Sequence, residues 1–192
     1  MIDPIQQRLL LERIAVFGDQ NAYKKFFQAF YKDLNRFAYS FVKSNETAEE
    51  IVSDVFVNLW KNRLRLLEIE NMKVYLYVAV KNLSIKYITR NSRNDVISLD
   101  ELSVDISSTG AYANPEEIYI STEIAAAIHA AIQKLPPRCK IIYKLVREDG
   151  LRYKEVADIL NLSVKTIDAQ MTIATKKICQ SINFMLDSPD RK

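Results

Sequence analysis

Glycine is scarce in this chain: Gly18, Gly110 and Gly150 are the only three in 192 residues. So little glycine leaves few sites for tight turns and no glycine-rich loop to cradle a phosphate. Long helices with few hairpins are expected. Cysteine and histidine are equally thin. Cys139 and Cys179 stand far apart and outside any CxxC pair, and His129 is alone. Neither a disulfide framework nor a zinc site is expected, and the cysteine usage suits a reducing compartment. His129 is read as a helix-surface residue. No stretch approaches the roughly 18 uninterrupted apolar residues of a membrane helix. The opening MIDPIQQRLL has no apolar signal core. A soluble, cytoplasmic chain without direct membrane insertion is therefore expected. No Ser/His/Asp set or paired-carboxylate cleft is visible, so no catalytic residue, cofactor or metal is assigned.

What the chain does have is polarised charge. Net charge is only +3, which by itself does not point to nucleic acid. Between Asn71 and Arg93 the charges are Lys73, Lys81, Lys86, Arg90 and Arg93, without an acid. Between Asn94 and Glu123 they are Asp95, Asp100, Glu101, Asp105, Glu116, Glu117 and Glu123, without a base. A basic block followed by an acidic block predicts a molecule with differently charged parts.

Helical periodicity dominates. A first helix is predicted over Gln6–Val16, stopping at Gly18. A second starts near Asn21 and carries Phe26, Phe27, Phe30, Leu34, Phe37, Ala38 and Phe41 at helical spacing, an aromatic stripe read as core. Thr47 is the expected N-cap of a third, with Glu50 as its capping-box partner. That helix, Ala48 to about Arg63, turns Ile51, Val52, Val55, Phe56 and Leu59 inward, leaving Glu49, Glu50 and Asp54 outside. A fourth helix, Met72 to about Arg90, is expected to bury Tyr75, Leu76, Val78, Ala79, Leu83 and Tyr87 and to expose Lys81, Asn82, Lys86 and Arg90. Residues 91–114 are polar and acidic without a period and read as a linker. Pro115-Glu116-Glu117 is a helix-start signal. Leu135-Pro136-Pro137-Arg138 is a break, and a helix follows over Arg138–Arg147. The expectation is an all-α chain of two small helical domains, residues 1–92 and 115–187, joined by a flexible acidic linker at 93–114. The C-terminal one is a four-helix domain.

That domain ends in a helix-turn-helix. Its first helix, Tyr153–Leu160, turns Val156, Ala157, Ile159 and Leu160 inward, with Ala157 small enough for a close crossing. Asn161 suits a left-handed turn position, and Ser163 is the N-cap of the second helix. Val164, Ile167, Met171, Ala174 and Ile178 form its buried stripe. Lys165, Thr166, Asp168, Ala169, Gln170 and Thr172 then face outward on the half that reads base edges in a major groove. Gln170 suits adenine, Lys165 guanine or phosphate, and Lys176 and Lys177 suit phosphates further along.

Over about Ala22–Ile182 the chain resembles a bacterial RNA polymerase sigma factor of the two-domain extracytoplasmic-function type. Three passages carry the resemblance. The run from Ala48 to Trp60 looks like the family's polymerase-binding helix, which implies a docking face of Glu49, Glu50, Ser53, Asp54, Asn58 and Trp60. Val74 to Arg90 is similar to the helix that melts and reads the −10 element, which implies DNA contacts by Asn71, Lys73, Tyr77, Lys81, Asn82, Lys86 and Arg90. Leu135-Pro136-Pro137-Arg138, followed by Gly150 to Ala157, is similar to the −35-reading domain. This implies contacts from Ser163, Lys165, Thr166, Asp168, Ala169, Gln170, Thr172, Ile173, Lys176 and Lys177. The resemblance also implies that Tyr75 and Tyr77 stack on unpaired bases, and that a flipped base is read near the Glu68–Asn71 connection. The acidic linker would thread the polymerase's RNA path. Implied partners are core RNA polymerase, through its largest-subunit clamp and its flap, and promoter DNA. A membrane-bound anti-sigma factor is implied as well. Ser53, Lys86, Asp168, Gln170 and Ile173 depart from the usual pattern. The acid and neutral side chains on the recognition helix predict weak intrinsic −35 affinity, offset by tethering to polymerase. The competing reading is a helix-turn-helix regulator acting without core polymerase. A purely protein-binding adaptor would leave the basic block from Lys73 to Arg93 without a use.

Overall fold

The structure, a computed structural model, describes residues 3–91 and 122–186. The expected linker at 93–114 and the helix start at Pro115–Glu117 lie outside the described residues. The chain divides into two units, Met1–Val96 and Ile97–Lys192. Among the described residues all regular structure is helical.

The first unit opens with α1 (Pro4–Phe17), whose Pro4 stands at the first turn. Gly18 ends it in the left-handed region at φ +61°, with its N–H donated to the Ile14 carbonyl. The next residue starts α2 (Gln20–Val42): the Asp19 carboxylate accepts from the Asn21 and Ala22 amides at 2.8 and 3.0 Å. These amide bonds, chiefly that of Ala22, and the Arg13 guanidinium hold the Asp19 carboxyl below its ordinary range. Lys43 closes α2 at φ +57°. The cap of α3 (Asn45–Lys61) is Ser44, whose Oγ accepts from the Thr47 amide at 3.2 Å. The expected Thr47 cap is thus three residues late. Thr47 lies buried inside the first turn, with its hydroxyl 3.4 Å from that of Tyr87. A 3-10 segment, Arg63–Glu68, leads to α4 (Met72–Asn91), where the Asn71 Oδ1 accepts from the Val74 amide at 3.1 Å.

Helix α2 is the centre of this unit and packs against α1, α3 and α4. Its stripe of Phe26, Phe30, Leu34, Phe37, Ala38 and Phe41 is buried as the spacing predicts, whereas Phe27, expected in the same stripe, is half-buried. Phe56 of α3 enters it edge-on, with ring centroids 6.2 Å from Phe26 and 4.7 Å from Phe27. The α4 stripe has a different phase from the expected one. Met72, Leu76, Tyr77, Val80 and Ser84 are buried, while Tyr75 and Tyr87 are exposed. Tyr77 packs its ring 4.9 Å from Phe37.

In the second unit α5 (Thr122–Gln133), α6 (Pro137–Arg147) and α7 (Tyr153–Leu160) each pack on α8 (Val164–Leu186). Ile141, Ile142, Leu145, Val156, Ile159, Ile167 and Ala174 form the core. One pair in it is ionic. The Lys144 ammonium lies 2.9 Å from both carboxylate oxygens of Asp149, and neither side chain is more than 2% exposed. The pair ties the end of α6 to the turn at Gly150 (φ +61°) that launches α7.

Two outcomes follow from this packing. Asp149→Ala strands a buried ammonium and is expected to cost about 3–5 kcal/mol, read as a lower urea midpoint for the second unit. Tyr23 donates its hydroxyl to the Phe56 carbonyl at 2.7 Å, and burial pushes its pKa up to about 12. The proton is held more tightly in the folded state. The contribution is therefore full below about pH 10, the free-tyrosine value, and is lost as pH rises towards 12. Urea unfolding from pH 9 to 12 is expected to show this loss in the native chain and not in Tyr23→Phe.

Candidate polymerase- and DNA-binding surfaces

The buried stripe of α3 fixes what its other side offers. With Ile51, Val52, Val55, Phe56 and Leu59 inside, Glu49, Glu50, Ser53, Asp54, Val57 and Asn58 are exposed together. Glu46 adds an acid at the N-terminal end. Hydrogen bonding, chiefly from its own backbone amide and then from the Ser44 hydroxyl, keeps the Glu46 carboxyl below its ordinary range. Trp60 is different. It is half-buried, edge-on to Tyr23 at 4.9 Å and covered by the Arg63 guanidinium 5.2 Å from its ring centroid. It shapes the end of the acidic face more than it projects from it.

On α4 the structure brings Asn82, Lys86 and Arg90 onto one exposed face at intervals of four. Tyr75, seven residues before Asn82, extends the same row. Lys81 is only partly exposed, and burial lowers the pKa of its ammonium. Lys73 is half-buried. Tyr77, expected to meet bases, is 1% exposed and belongs to the core. Of Tyr75 and Tyr77, the ring offered to solvent is that of Tyr75, 43% exposed. The two exchanged roles because both tyrosines fit a helical apolar stripe, and only the position of Phe37 decides which is covered. Asn71 is exposed, but its side-chain oxygen already caps α4.

Between the end of α3 and the start of α4 lies a cavity of about 460 Å³. It is lined by Leu59, Asn62, Arg65, Leu66, Glu68, Ile69 and Tyr75. Arg65 and Glu68 form an ion pair at 3.0 Å beside it. Ile69 lies in the Glu68–Asn71 connection singled out in the sequence, whereas Asn62 and Arg65, at the start of and within the 3-10 segment, carried no sequence signal because that segment has no period.

The helix-turn-helix follows the sequence closely. Asn161 is left-handed at φ +55°, and the Ser163 Oγ accepts from the Thr166 amide at 3.0 Å. At the start of α7 the Glu155 carboxylate accepts from the Arg152 amide at 2.8 Å. Ile167, Met171, Ala174 and Ile178 are buried, so Lys165, Ala169, Thr172 and Lys176 point away from the core, flanked by exposed Asp168, Ile173 and Lys177. Val164, expected inside, is 47% exposed. Thr166 and Gln170 are half-buried. Beneath Gln170 the buried Cys139 donates its thiol to the Gln170 carbonyl at 3.3 Å, and burial raises the thiol's pKa. A second cavity, about 390 Å³, joins Tyr153 of α7 to Met171, Thr172, Thr175 and Lys176 of α8. Tyr153 and Thr175 were not predicted as site residues. Among the described residues no group of three or more His, Cys, Asp or Glu is placed to hold a metal ion, and no helix is long and apolar enough to cross a membrane.

Two family models match the chain, one within each unit. The model of sigma-70 region 2 matches residues 26–94, and that of sigma-70 region 4 matches residues 125–178. The ECF RNA polymerase sigma-E factor of Escherichia coli is 22% identical over 191 residues, covering 97% of this chain and 99% of that protein. The ECF sigma factor SigE of Mycolicibacterium smegmatis is 24% identical over 137 residues, 71% of this chain and 52% of that protein. Among solved structures, CnrH, in complex with the cytosolic domain of CnrY, shares the fold. Its TM-score is 0.57 at 19% identity, over 95% of this chain and 99% of that one. The chain belongs to the RNA polymerase sigma factors of the extracytoplasmic-function type, the subunits that bind core polymerase and direct promoter-specific transcription initiation.

Proposed function

We propose that the first unit divides its labour between two helices. The acidic face of α3, from Glu49 to Asn58, docks on the clamp helices of the polymerase's largest subunit, and the outer face of α4 holds opened −10 DNA. The observation that carries this is the cavity between them. The acidic face ends at its α3 side, the row of Asn82, Lys86 and Arg90 continues from its α4 side, and Tyr75 is shared by the cavity and the row. An unpaired base extruded from the duplex meets amide, guanidinium and carboxylate groups in the cavity. Tyr75 stacks on a base for about 1–3 kcal/mol. The α4 cations then take the phosphates, which give affinity without sequence information.

The second unit lays the outward row of α8 in the major groove of the −35 element, and the cavity at Tyr153, Thr172 and Lys176 receives a backbone phosphate. With Asp168 and Ile173 beside that row, the contact is weak alone and relies on the effective concentration that polymerase, through its flap, supplies. The proposed organisation is residues 1–92 for core binding and −10 opening, 93–114 as linker, and 115–187 for −35 recognition, acting in the cytoplasm. A membrane-bound anti-sigma factor as inhibitor is supported only by likeness to the fold of CnrH, itself solved with the cytosolic domain of another protein.

Two measurements test this with core polymerase and a promoter isolated from a genomic pool. Asp54→Arg is expected to weaken core binding at least tenfold while leaving helicity unchanged; unchanged core affinity removes α3 as the docking face. Lys86→Ala with Arg90→Ala is expected to slow strand opening, followed by permanganate reactivity of unpaired thymines, more than tenfold. Closed-complex affinity should change less than threefold, and equal loss in both steps would sink the assigned role of α4.

A further inference from the structure

One charged surface in the first unit is left over by the assignments above. Helix α2 turns its aromatic stripe towards α1, α3 and α4, so among the described residues its opposite face is open. Along that face run Asn21, Lys25, Gln28, Lys32, Asn35 and Tyr39, spaced alternately by four and three residues. Helical geometry places them on one line about 27 Å long. Asn21, Lys25, Gln28 and Lys32 are exposed, and Lys24 stands exposed beside the line. Every member of the row can donate a hydrogen bond.

Neutralisation within the helix is missing here. The positions three and four residues either side of Lys24 are Gln20, Asn21, Phe27 and Gln28; for Lys25 they are Asn21, Ala22, Gln28 and Ala29; for Lys32 they are Gln28, Ala29, Asn35 and Arg36. None is acidic. The acids nearest in sequence have other partners: Asp33, next to Lys32, pairs with Arg36 at 2.7 Å, and Asp19, before Lys24 and Lys25, pairs with Arg13. An ordinary solvated helix face mixes signs at these intervals. This one offers ammonium groups with no acid at those intervals, separated by amides.

We propose that the outer face of α2 is a second track for a nucleic-acid backbone, distinct from the α4 row, and that Lys24, Lys25 and Lys32 contact phosphates. The ligand chemistry follows from what the row contains and omits. Protein interfaces need buried aromatic or aliphatic anchors, and the only aromatic on this line is the half-buried Tyr39. Nucleic-acid interfaces are polar and positive, and lysine and amide donors are their usual phosphate contacts. Exposed apolar side chains do occur elsewhere in the unit, at Phe17, Leu64 and Leu67, and none lies on this row. Because the row reads no base edge, it adds affinity for DNA of any sequence. The inference does not depend on the roles assigned to α3, α4 or α8.

The test uses holoenzyme formed from the full chain and core polymerase, bound to duplex fragments with and without a promoter, across a salt titration. The triple variant Lys24→Ala, Lys25→Ala, Lys32→Ala is compared with the triple arginine variant. Each lost phosphate contact lowers the slope of log K against log salt by about 0.9. The alanine variant is therefore expected to lose between about 2 and 3 units of slope, equally on both fragments, with core affinity unchanged. The arginine variant should keep the native slope. An unchanged slope in the alanine variant overturns the proposal. So does a loss of core affinity with the DNA slope retained, which would make the face a contact for an acidic protein surface.

Discussion

Phe56 lies edge-on to Tyr23, Phe26 and Phe27, and most of the first unit's surface chemistry depends on that contact. It fixes the rotation of α3 about its own axis. Once Phe56 faces α2, a helix of 3.6 residues per turn must send Glu49, Glu50, Ser53, Asp54 and Asn58 to the other side. Tyr77 against Phe37 does the same for α4 and sends Asn82, Lys86 and Arg90 outward. The rotation of each outer helix is thus set by where an aromatic ring fits between its neighbours. The charged faces are the consequence.

The second unit solves the same problem around α8. Three shorter helices pack on it, and its buried stripe leaves the row from Lys165 to Lys176 free. The buried Lys144–Asp149 pair adds a directional constraint that apolar packing lacks. It closes the end of α6 on the turn before α7, so the first helix of the helix-turn-helix starts from a fixed point. Its worth is geometric, since a buried ion pair repays little of its own desolvation.

Charge is therefore sorted by helix. Acids lie on the outer face of α3, bases on the outer faces of α2 and α4, and a mixed, weakly cationic row on α8. A subunit that grips a protein on one side and polyanionic DNA on another needs such sorting, because like charges opposed across an interface cost several kcal/mol. The modest net charge of +3 hides it.

Local chemistry settled much of this at the level of residues. Gly18 and Asn161 at left-handed stops, and Ser163 as a cap, act within one turn of helix, so their neighbours in sequence are enough to read them. The aromatic stripe of α2 and the register of α7 were legible for the same reason: their periodicity is strong and uninterrupted. The cap of α3 was misplaced from Ser44 to Thr47, because both residues can cap and only the backbone chooses. Tertiary structure alone decided which of Tyr75 and Tyr77 is covered, that Lys81 is half-buried, that Val164 is exposed, and that Asn62, Arg65 and Ile69 meet at one cavity. Each of these depends on a partner from another helix. The helix-turn-helix was therefore recognisable as a motif from residues close in the chain, whereas the faces that serve it and the first unit were set by packing between residues far apart in it.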